Sequence, residues 1–133
     1  MPVCFDQIPV GSQWTRQQLA DAWGYRGYQA FARGVFTPHG GDKIILFVSE
    51  EKPDDFTQYQ DGLSGDLLRW EGEQGHQNDQ RIVAAKANGE QIHVFFRREH
   101  RSPFTYLGLA EVQQHELLAV GPSRFHLKIA VTT

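Results

Sequence analysis

Two stretches of the sequence combine aromatic rings with groups that hydrogen-bond or carry charge. In the first, Tyr59-Gln60-Asp61-Gly62 leads through a polar loop to Trp70-Glu71-Gly72. A tryptophan face beside carboxylate and amide groups suits a planar heterocycle, because stacking supplies affinity and polar edges supply selectivity. The following run, Glu73 to Asp79, is almost wholly polar and too long for a simple hairpin, and such loops are disproportionately functional. Trp70 fits the core equally well, since buried tryptophans are common. In the second stretch, Arg97, Arg98, His100 and Arg101 follow Phe95 and Phe96 and precede Phe104 and Tyr106. A basic hairpin with interleaved aromatics suits a phosphodiester backbone; a solvated turn with Tyr106 in the core fits as well.

Catalytic patterns are wanting. The histidines, His39, His76, His93, His100, His115 and His126, do not pair at the close spacing of a zinc site. Glu50-Glu51-Lys52 resembles a carboxylate-x-lysine nuclease string, but Asp42 is wrongly spaced to complete it, so it reads as a charged loop. No Gly-x-Ser-x-Gly elbow or phosphate-cradling glycine loop occurs. Cys4 stands alone, which excludes an internal disulfide and a thiolate metal site. The expectation is a binding module with no catalytic residue, metal or cofactor.

The elements that position these groups belong to one domain, residues 1–133. Apolar residues make up 40% and charged residues 22%, which is ordinary for a globular chain. No apolar run reaches membrane-spanning length, the N-terminus is unlike a signal peptide, and a reducing cytoplasm is expected. The net charge of −3 argues against broad non-specific nucleic-acid binding and leaves a locally basic face as the alternative. Thr15, with Gln18 three residues on, predicts a capping box for a helix ending at Gly24. A second short helix is expected over roughly Tyr28 to Ala32.

From Val35 the period changes to that of strands. Ile44 to Val48 is a continuous apolar run, as in a strand buried on both faces. Asp66 to Glu71 reads as a strand. Gln91 to Arg98 alternates, with Ile92, Val94 and Phe96 on one face and His93, Phe95 and Arg97 on the other. Thr105 to Val112 is its expected hairpin partner. Leu117 to Val120 and Arg124 to Val131 read as a closing hairpin, with Arg124, His126 and Lys128 on a wet face. The segment from Gln80 to Gly89 is open between helix and strand. The fold class is α+β, mainly β: five to seven strands in a bent sheet or barrel over about 35–131, with short helices over about 12–34.

The order of these pieces resembles a bacterial family. The residues that carry the resemblance are Trp23-Gly24-Tyr25, Arg33-Gly34-Val35, Ile44 to Val48, Glu51-Lys52, Tyr59-x-Asp61, Trp70-Glu71-Gly72, Ile92 to Arg97 and Pro103 to Gly108. Its members are domains attached to HNH nucleases or to the C-terminus of helicase-type modification-dependent restriction enzymes. The family looks like a divergent branch of the SRA/PUA-like fold, which reads modified cytosine in DNA by flipping the base. The resemblance implies an SRA/PUA-like barrel that binds double-stranded DNA carrying a methylated or hydroxymethylated cytosine, alongside a nuclease module or protein. It implies a base pocket drawn from Trp70, Tyr106, Tyr59, Asp61 and Glu71. Arg33, Arg97, Arg98, Arg101 and His100 would hold phosphates. Glu71 departs from the amide or hydroxyl residues of the helicase-linked branch, and the chain carries no HNH or helicase motif of its own. The alternative is a regulatory β-module that binds a peptide.

Overall fold

The structure, a computed structural model, describes residues 5, 7–31, 35–37, 43–49, 62–64, 67–71, 79–99, 102–116 and 124–129. After a two-residue strand, β1 (Gln13–Trp14), comes helix α1 (Arg16–Trp23). Thr15 caps it as expected: the hydroxyl accepts from the Gln18 N–H at 3.1 Å, and the Gln18 side chain accepts from the Thr15 N–H at 2.9 Å. Gly24, in the left-handed region at φ 80°, ends the helix, and the Tyr25 N–H reaches back to the Ala20 carbonyl at 2.8 Å. Of the expected second helix, the described residues show one 3-10 turn, Gln29–Phe31, and Ala32 lies outside them.

The remaining elements are β2 (Val35–Phe36), β3 (Lys43–Ser49), β4 (Gly62–Ser64), β5 (Leu67–Glu71), α2 (Asp79–Asn88), β6 (Gln91–Arg97), β7 (Phe104–Glu116) and β8 (Arg124–Ile129). All eight described strands form one sheet, ordered β2-β3-β6-β7-β8-β5-β4, with β1 on the edge of β7. This exceeds the five to seven expected because β1 and β2, of two residues each, are too short to leave a periodic signal. The sheet is bent but not closed: among the described residues the terminal strands β2 and β4 do not pair with each other. The barrel expectation is therefore corrected to an open sheet.

Among the described strands only β3 and β6 run parallel, which explains the continuous apolar run of β3: residues 44–49 are all buried. The long strand β7 pairs with β6 through its first half and with β8 through its second, and Ala110 is opposite both Ile92 and Ile129. Register shifts at Val94/Phe95 and at Val112/Gln114 mark bulges, which bend and twist a strand. At the first bulge Gly108 sits at φ 99°, where a Cβ would come within 3.2 Å of a Val10 methyl.

The two faces of the sheet bury separate cores. Ile44, Leu46 and Val48 of β3 join Ile92, Val94 and Phe96 of β6, with Leu68 and Trp70 of β5 and Phe125 and Leu127 of β8. Helix α2 closes this side with Ile82 and Ala85, which settles the open segment as a helix. Ile45, Phe47, Phe95, Phe104 and Tyr106 point the other way and pack under Leu19, Ala20 and Trp23 of α1 and Phe31. Alternation in β8 is as expected where it is described, with Phe125 and Leu127 buried and Lys128 exposed.

Candidate nucleic-acid interface

The carboxyl ends of β3 and β6 lie side by side, with Ser49 opposite Arg97. Arg97 shares the face of His93 and Phe95 and is held from several sides. Its Nε–H donates to the Ser49 hydroxyl at 2.6 Å and a terminal N–H donates to the Ser102 carbonyl at 3.3 Å. Its guanidinium lies 4.3 Å from the centre of the Phe104 ring. Burial lowers its pKa.

A second guanidinium reaches the same ring. Arg16, the first residue of α1, lies 5.0 Å from Phe104 and 5.1 Å from Phe47, and its Nε–H donates to the Phe31 carbonyl at 3.1 Å. Burial first, and then the charge of Arg97, bring its pKa down to about 10. Nothing in the sequence pattern singles out Arg16 for this role, because Phe104 and Arg97 are remote in the chain. One local signal exists: a cation at the first position of a helix opposes the helix dipole. Arg98, on the opposite side of the strand from Arg97, is exposed, with its guanidinium 5.5 Å from the Phe96 ring.

The two aromatic candidates that are described do not converge. Trp70 is 4% exposed and packs 5.3 Å from Phe125 in the core on the α2 side. Tyr106 belongs to the core on the α1 side. Its hydroxyl pairs with His93 Nδ1 at 2.7 Å, and His93 Nε2 lies 3.1 Å from the Gln91 side-chain oxygen. Phe5 stacks on the imidazole at 3.8 Å, and burial raises the Tyr106 pKa to about 12. Neither ring offers an open stacking face. Tyr59, Asp61, Arg33, His100 and Arg101 lie outside the described residues; of Glu71 only the backbone is described, at the end of β5 opposite Arg124.

A cavity of about 380 Å³ opens beside the C-terminal half of α2, lined by Ile82, Val83, Ile92 and Val112 with Glu90 and Glu111 among its polar groups. Arg81 braces it through an ion pair to Glu90 at 2.6 Å. Among the described residues no three His, Cys, Asp or Glu side chains gather as metal ligands, and no helix is long and apolar enough to cross a membrane.

A family model described as a domain of unknown function, DUF3427, matches residues 9–124. The chain belongs to this family. No curated protein matches it significantly. Among solved structures, this DUF3427 chain is similar to the SRA domain of SUVH5. The hemi-methylated CG DNA complex of that domain aligns at a TM-score of 0.64 and 16% identity, over 99% of this chain and 95% of that one. The complex with fully hydroxymethylated CG DNA aligns at 0.62 and 17% over the same shares. KRYPTONITE bound to mCHG DNA and SAH aligns at 0.62 and 13%, over 93% of this chain and 32% of that one. At these identities the likeness establishes an SRA-like fold.

Proposed function

We propose that this chain is a non-catalytic module that binds double-stranded DNA carrying a methylated or hydroxymethylated cytosine, by flipping the base out of the stack. The observation that carries the proposal is the SRA-like fold, aligned over 99% of the chain with domains crystallised on methylated and hydroxymethylated DNA. Flipping costs a few kcal/mol, which interactions with the extruded base must offset. With Trp70 and Tyr106 enclosed in the two cores, that work falls to Tyr59, Asp61 and Glu71. In this proposal Tyr59 stacks on the base, and Asp61 or Glu71 accepts from the exocyclic amine of cytosine. Arg97 and Arg98, with Arg33, His100 and Arg101, bind phosphates. The resemblance in the sequence to domains of modification-dependent restriction enzymes supports a role as the specificity part of such a system, with the nuclease on another module or protein.

Binding of a short duplex with one methylated cytosine, compared with the plain duplex at low salt, tests the proposal. Tighter binding of the methylated duplex is expected, with the preference lost in Asp61→Asn combined with Glu71→Gln. Equal affinity for the two duplexes would sink it.

A further inference from the structure

The hollow beside α2 is bordered by small side chains where the fold surrounds them with large ones. Ala110 of β7 lies opposite Ile92 on one side and Ile129 on the other, and Ala85 of α2 belongs to the same core. Protein interiors are otherwise close-packed, with few voids larger than a water molecule. Here about 380 Å³ stays open beside the two alanines, walled by Ile82, Val83, Ile92 and Val112. That is enough for a compact ligand, at the small end of the range for binding pockets.

One charged group is built into this apolar wall. Gly89, at φ 74°, turns the chain so that the Glu90 N–H reaches back to the Ala85 carbonyl at 2.8 Å and caps α2. Glu90 thereby stands at the negative end of the helix dipole, an unfavourable place for an anion. Its side chain is only 9% exposed. Arg81 offsets the charge, but both contacts fall on one oxygen, with Nε at 2.7 Å and a terminal nitrogen at 2.6 Å from Oε2. Oε1 takes no hydrogen bond from a described residue. Among the described residues no fully buried side-chain oxygen lacks a partner, so Oε1 is not sealed in, and the cavity that Glu90 lines gives access to it. An ionised carboxylate oxygen only accepts. Because Arg81 already balances the charge, the group that completes the site is a neutral donor and not a second cation.

We propose that this cavity binds a small, neutral, apolar ring compound carrying one N–H, of the size of indole, and that the N–H donates to Glu90 Oε1. The apolar walls take the ring, and the charge-assisted bond fixes its orientation. The site stands at the opposite end of β6 from Arg97, and the proposal does not depend on the DNA-binding reading.

The experiment titrates indole and benzofuran into the full chain and follows the methyl signals of Ile82, Ile92 and Val112 in NMR spectra. Benzofuran has the same shape, with an oxygen in place of the N–H. Indole should shift all three sets of signals and bind at least about tenfold more tightly than benzofuran, as for a hydrogen bond to a charged group. In Glu90→Gln the gap between the two compounds should narrow, because a neutral acceptor holds the N–H less tightly. In Ala85→Leu the larger side chain occupies the space, and neither compound should bind. Near-ultraviolet circular dichroism checks that each variant folds, and the comparison of the two compounds on the wild type needs no variant. No response to indole, or equal affinity for indole and benzofuran, would overturn the proposal. So would an unchanged gap in folded Glu90→Gln, or indole binding that survives in folded Ala85→Leu.

Discussion

Replacing Trp70 with alanine would empty a closed site packed against Phe125, so the expected cost is about 3–5 kcal/mol, read from urea denaturation. Trp70→Phe keeps most of the buried area and should fold. If the indole is core and not pocket, the folded Phe variant keeps any preference for modified DNA; loss of that preference with stability retained would return Trp70 to the binding site. Tyr106 makes a different residue-scale prediction. Its folded pKa stands at about 12, above the ordinary 10, so the folded state resists ionisation. Its contribution is intact below pH 10 and is lost as the pH climbs from 10 through 12, because the unfolded chain releases the proton first. Stability measured at pH 9 and pH 11 should show the decline. In Tyr106→Phe the decline should be smaller, with a cost of about 1–3 kcal/mol at neutral pH because the buried bond to His93 Nδ1 is lost.

At the scale of elements, the α1 cap and the β7 bulge carry separable loads. Thr15→Ala removes one half of a reciprocal cap and should cost about 1 kcal/mol in thermal or urea unfolding. Gly108→Ala should cost more, because a side chain there meets both an unfavourable φ of 99° and the Val10 methyl. The capped helix is legible in the sequence because Thr15, Gln18 and Gly24 act within a few residues of one another. The doubly buried strand β3 is legible because parallel pairing leaves an unbroken apolar run. Other features depend on distant partners and leave no local trace. Whether Trp70 faces ligand or core turns on Phe125, 55 positions away in sequence. Tyr106 is fixed by His93 and Phe5, and Arg16 is linked to Arg97 through the Phe104 ring. The open sheet leaves no sequence signal because closure depends on whether β2 and β4 meet, and alternation within each strand is the same either way.

At the scale of the molecule, the proposed binding of DNA by a chain of net charge −3 requires a local field. Lys128 stands exposed on β8, and Arg98 is exposed at the other end of β6 from the α2 cavity, on the opposite side of the strand from Arg97. Few phosphates can then be engaged, so the salt slope should be shallow beside that of a strongly basic protein that grips the backbone at many points. Base recognition adds stacking and hydrogen bonds inside a pocket, which release no counterions. Methylated and plain duplexes should therefore give parallel lines in a plot of log affinity against log salt, separated by a constant offset. Arg97→Gln should flatten both lines by about 0.9 without changing the offset. Asp61→Asn with Glu71→Gln should close the offset without changing either slope. Lines that converge as salt rises would mean that the modification is sensed through the phosphate backbone, by the shape of the duplex, and not by a flipped base.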